Sequence, residues 1–137
     1  MTISTAAGVY TYGTSAYMTV TPAKSGTLII DWNGSYNCNQ SFSHQINCGI
    51  KVTTVNTQPS TATTFDAQTQ MGNAGGFTGA AFGNIPFVVT HSIPVTQGQT
   101  YYIWIGTYGN NYNSSASGTL LGQAGRMTCT LTSTSGL

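Results

Sequence analysis

Few residues in this chain could do chemistry. The imidazoles are His44 and His91, the carboxylates Asp31 and Asp66, and the thiols Cys38, Cys48 and Cys129. A histidine with an aspartate and a nearby serine would make a nucleophilic triad. No G-x-S-x-G elbow supports one, and no spacing draws these residues together. His44 reads as part of a hairpin turn and His91 as the end of a strand. A glycosidase needs two placed carboxylates, yet Asp31 sits mid-strand beside Trp32, where it suits a structural hydrogen bond. Calcium needs several acidic oxygens in one loop, and no segment supplies them. No C-x-x-C pair offers a zinc site, and no glycine-rich loop with a lysine offers a phosphate site. The expectation is a protein that is not an enzyme and carries no metal or cofactor.

Two constellations remain. A hairpin turning near Ser43 would set Cys38 opposite Cys48, with Tyr36 opposite Ile50. Opposed β-carbons lie about 4.5–5.5 Å apart, so this register permits a disulfide; two small buried thiols are the other reading. Cys129 reads as a core residue. The second constellation is aromatic and amide. Trp32 and Tyr36 lie near Asn37 and Asn39, and Tyr108 and Tyr112 near Asn110, Asn111 and Asn113. Flat rings beside amide donors and acceptors can hold a sugar, and the same residues serve in turns and cores.

The elements that must position these groups are strands. There is no Glu, and good helix formers are scarce, while Thr, Val, Ile and Tyr abound. Leu28, Ile30 and Trp32 alternate with polar residues, as do Ile46, Cys48, Ile50 and Val52, and Met127, Cys129 and Leu131. Further strands are expected over Val9–Tyr12, Tyr17–Thr21, Phe87–Thr90 and Thr100–Thr107. Turn signals separate them at Lys24-Ser25-Gly26, Gln58-Pro59-Ser60, Gln97-Gly98-Gln99 and Gly109-Asn110-Asn111. Seven to eight short strands predict an all-β, antiparallel β-sandwich of jelly-roll-like type, as a single domain over 1–137. Residues 133–137 read as a frayed tail. The run Tyr101-Tyr102-Ile103-Trp104-Ile105 is apolar on both faces and reads as a strand covered on both sides, so Tyr102 and Trp104 are candidate interface residues. The segment 71–84 is rich in Gly and Ala. It is expected to be an irregular loop whose Phe77 and Phe82 pin it to the core or to a partner.

Charge narrows the function. Lys24, Lys51, Arg126, Asp31 and Asp66 are the only fully charged side chains, 4% of the chain, and the net charge is +1. An ordinary domain has roughly 25%. No field draws phosphate or an anionic membrane, so neither nucleic acid nor membrane is an expected partner. Solubility rests on hydroxyls and amides. Met1 to Tyr10 lacks the basic start and apolar stretch of a signal peptide, so the expectation is a protein made and kept in the cytosol, or one that leaves by another route such as assembly into a particle released by lysis; an extracellular location is the alternative.

Val95-Thr96-Gln97-Gly98-Gln99-Thr100-Tyr101-Tyr102-Ile103, with Ser25-Gly26-Thr27-Leu28-Ile29-Ile30, resembles the strand edges of trimeric jelly-roll modules. Such modules serve as capsid decoration (cement) proteins or tail-fibre heads of tailed bacteriophages. The resemblance implies a homo-oligomer, a trimer, fixed on a major capsid or other virion protein and stabilising the shell. The alternative is a receptor- or carbohydrate-binding module with a glycan as partner.

Overall fold

A computed structural model describes residues 2–4, 8–38, 44–71, 82–111 and 118–133, with side chains described for 8–35, 46–70, 85–109 and 125–133. The alternating segments form strands, and nine are present among the described residues: β1 (Thr2–Ser4), β2 (Tyr10–Tyr12), β3 (Met18–Val20), β4 (Gly26–Cys38), β5 (His44–Thr53), β6 (Ala67–Met71), β7 (Phe82–Val95), β8 (Tyr101–Asn111) and β9 (Gly118–Thr132). They pair antiparallel in two sheets that pack as a β-sandwich. One sheet runs β1-β9-β4-β7. The other runs β2-β8-β5-β6, with β3 pairing β8 beside β2.

The core lies between the sheets, where the even-numbered apolar residues of β4 and β5 meet. Leu28, Ile30 and Trp32 face inward from one sheet, and Ile46, Cys48 and Ile50 from the other; all six are buried. Phe87 and Val89 of β7, Ile103 and Ile105 of β8, and Met127 of β9 complete it. Trp32 meets Phe87 edge to face with ring centroids 4.7 Å apart. That contact needs Gly34: it lies opposite Phe87 in the register, and a β-carbon there would sit 2.5 Å from Phe87 Cζ. The turn at Gln97-Gly98-Gln99 forms between β7 and β8, with Gly98 at φ +76° and its N–H donated to the Pro22 carbonyl.

The strands also depart from the expected set. β6 was not anticipated, because Ala67-Gln68-Thr69-Gln70 has no large apolar residue to mark it. β1 is three residues long and equally silent. Of the segment 71–84, Met71 ends β6, residues 82–84 begin β7, and 72–81, with Phe77, lie outside the described residues. Of the tail 133–137, only Ser133 is described.

The hairpin that would set Cys38 against Cys48 does not form. β4 and β5 follow one another in sequence but lie in opposite sheets. Cys38 pairs with Phe82 and Gly118, whereas Cys48 pairs with Thr69 and Thr107 and is a free, buried thiol. In a sandwich the connection crosses between layers, so neighbours in sequence need not be neighbours in a sheet.

Candidate functional site

Part of the outer face of the sheet containing β8 is covered by the chain's own segment 54–66. Gly49 of β5 and Gly106 of β8 stand directly opposite each other. Their missing side chains leave a notch on the outer face, and Phe65 fills it. A β-carbon on Gly49 would lie 2.8 Å from Phe65 Cβ and closer still to Cγ and Cδ2. One on Gly106 would lie 2.6 Å from the Thr11 carbonyl and 3.0 Å from Phe65 Cε1. Tyr10 and Tyr12 approach the Phe65 ring edge-on, with centroids at 5.0 and 5.4 Å.

Polar contacts tie the segment down. The Tyr12 hydroxyl donates to the Thr63 carbonyl at 2.7 Å, and Gln58 Nε2 donates to the carbonyls of Tyr12 and Gly13. Burial, then the Asp66 carboxylate, then neighbouring Tyr10 hold the Tyr12 phenol well above the usual range. Asp66 accepts from Lys51 Nζ at 2.5 Å and from the Val52 N–H at 2.8 Å.

The predicted site residues divide between these layers. Trp32 is 2% exposed and belongs to the core, so it offers no sugar platform. Trp104 is also 2% exposed; it faces outward from β8 and donates its indole N–H to Thr53 Oγ1 at 2.9 Å. Its burial is complete within one chain, which removes it as an interface residue. Tyr102, half-buried, stands opposite Thr53 and Thr19. Tyr108 stacks on Tyr10 at 4.5 Å. Tyr36 and Phe82 hold strand positions opposite Ile85 and Cys38, with side chains outside the described set, and Tyr112 lies outside the described residues. Cys129 is half-buried and donates its thiol to Met18 Sδ at 3.3 Å; burial, then Asp31, raises its pKa.

Two surfaces have the composition of binding sites. The first is a row on the outer face: Tyr10, Tyr108, Asn47 and Gln70 stand side by side on β2, β8, β5 and β6. Two stacked rings adjoin two amides, and Asn47 Oδ1 is buried with no hydrogen-bond partner. The second is a groove of about 710 Å³ between the end of β5 and the edge of β7. Val52, Val55, Ile93, Pro94 and Tyr101 give it an apolar lining, with Thr53, Thr54, Asp66 and His91 as its polar groups. Sequence reasoning named Tyr108 of the first surface, with other neighbours, and missed the second. Each depends on register between strands far apart in the chain, and Asn47, Gln70 and Val55 carry no local motif.

Acid–base groups are scattered. Asp31 accepts from the Thr90 hydroxyl at 2.7 Å on the opposite sheet's outer face, and His91 faces the groove. Among the described residues no three His, Cys, Asp or Glu side chains gather as a metal site would require. No protein-family model matches the chain, and no curated protein or solved structure is significantly similar to it.

Proposed function

We propose that this protein is a jelly-roll surface protein acting by assembly: a capsid decoration protein that binds a major capsid or other virion protein as a homo-oligomer and stabilises the shell. The observation that carries this reading is the nesting of strand pairs. β5 pairs β6, β4 pairs β7, β2 and β3 pair β8, and β1 pairs β9. Such nesting supports the jelly-roll reading, in which one long hairpin rolls into two sheets, a plan on which viral capsid and lectin domains are built. The outer face of β4, β7 and β9 supports the assembly role. Thr27, Thr90, Ser92, Thr128, Thr130 and Thr132 share it, with Asp31 bonded to Thr90. Neutral hydroxyls tolerate many copies at close quarters without self-repulsion and bind independently of salt. The test is an inventory of particles from a source culture, banded on a density gradient and mapped by peptide mass. Peptides of this chain in the particle band, in fixed ratio to the shell protein, support the reading; their confinement to the soluble fraction overturns it.

A second reading, a carbohydrate-binding module of tail-fibre or lectin-like type, is favoured by the Tyr10, Tyr108, Asn47, Gln70 row. A glycan array tests it. Binding to a defined sugar that is lost in Tyr108→Ala supports it, and a blank array removes it.

A further inference from the structure

The β7 strand is an edge, and its sequence makes that edge complementary to itself. Among the described residues β7 pairs with β4 alone. Backbone groups of successive residues point to alternate neighbours. The Thr27 carbonyl accepts from the Thr132 hydroxyl, so the odd-numbered residues of β4 turn toward β9. Their β7 partners are Pro94, Ser92, Thr90, Val88 and Pro86, whose N–H and C=O groups therefore face away from β4. Both prolines fall in this set, where a missing N–H costs the ladder nothing. Between them Val88, Thr90 and Ser92 are exposed and have no strand partner on that side among the described residues.

We propose that a second copy of this chain pairs with this edge, β7 to antiparallel β7, about a two-fold axis at Thr90. In that register Thr90 faces Thr90, Val88 faces Ser92 of the second copy, and Pro86 faces Pro94. Each of the three inner positions exchanges two main-chain hydrogen bonds with its counterpart. The pairing stops where proline meets proline, so neither copy loses a bond. The strand from Phe82 to Val95 holds no charged side chain apart from the ionisable His91, so two copies meet without the repulsion that usually guards an edge. The exposed apolar residues agree: Val88, 57% exposed, stands on this edge, and Val55, 61% exposed, lines the groove beside it. The contact is isologous, and two sheets become one continuous sheet across the pair.

The inference does not rest on the capsid reading. It concerns the mass of the purified chain, whereas the capsid reading concerns particles. Sedimentation equilibrium of the wild type is expected to give twice the chain mass. Ser92→Pro removes one outward N–H from each copy while sparing the β4 ladder, and is expected to halve the mass. Val88→Lys, which adds a charge to the edge without a backbone change, is expected to do the same should Ser92→Pro fail to fold. Register is read with cysteines. Thr90→Cys alone is expected to give a disulfide-linked dimer on a non-reducing gel, and Val88→Cys only when mixed with Ser92→Cys. A monomer at every concentration, a trimer, or a dimer indifferent to the edge variants overturns the proposal.

Discussion

The glycine notch under Phe65 makes a quantitative prediction. In Gly49→Ala the new methyl overlaps the Phe65 ring, which must move by roughly 1 Å to restore ordinary contact. That movement pulls the ring off Tyr10 and Tyr12, and overpacking of this kind costs about 1–3 kcal/mol. Phe65→Ala forfeits both edge-on contacts, at about 0.5–1.5 kcal/mol each beyond buried area. With the lost area from a half-buried ring, about 3 kcal/mol is expected. In the double variant the ring is gone. The Gly49→Ala methyl still lies 2.8 Å from the remaining β-carbon, so the backbone at residue 65 must give by a few tenths of an ångström, and the added cost falls to about 1 kcal/mol. The two changes are therefore coupled by about 1–2 kcal/mol, the double variant being more stable than the sum of the singles. Urea unfolding of the four proteins, followed by tryptophan fluorescence, measures the cycle. Losses that add to within about 0.5 kcal/mol would refute the claim that Phe65 occupies the notch.

Three further outcomes are expected. Burial pushes the Cys48 thiol well up, so above about pH 8.5, where an unfolded thiol ionises, the folded state binds the extra proton. Stability from this group is full below that pH and falls as pH rises, by at most about 1.4 kcal/mol per unit; urea midpoints from pH 7 to 10 should decline less steeply in Cys48→Ala. Thr53→Val leaves the buried Trp104 indole N–H without its acceptor and should cost about 1–2 kcal/mol, read from the same midpoints. Asp66→Asn weakens the partly exposed Lys51 pair and should cost only about 1 kcal/mol; in high salt the wild type should lose part of that advantage.

The strands around the core were legible because each carries its own alternation. Leu28, Ile30 and Trp32, and Ile46, Cys48 and Ile50, announce both period and inward face before any partner is known. What depends on partners was not legible. The proposed Cys38–Cys48 pairing assumed that consecutive strands form a hairpin, while the chain crosses to the other sheet between them. Trp104 was correctly read as lying on a strand covered on both sides. Its indole N–H is held by Thr53 of β5, and the nearby notch is filled by Phe65 from the segment 54–66, whose many Thr, Ser, Gln and Pro residues give little apolar signal. Trp32, read beside Tyr36 as a sugar platform, shares the inward parity of Leu28 and Ile30, so its alternation already pointed to the core. The notch could not be foreseen, since Gly49 and Gly106 become neighbours only through the register of β5 against β8.

The position of β9 between β1 and β4 has a consequence for how the chain is made. As the protein leaves the ribosome, β4 can find β7 and β5 can find β8, but the middle of the first sheet stays vacant until residues 118–132 emerge. Until then one flank of the Gly26–Cys38 backbone waits unpaired, and the apolar face of Leu28, Ile30 and Trp32 lacks Met127. Synthesis thus holds this sheet open until β9 emerges, and completion of the sandwich becomes a nearly all-or-none event that waits on that strand. A ribosome stalled before β9 would carry a sticky intermediate, so the timing of translation is itself part of this fold's folding problem.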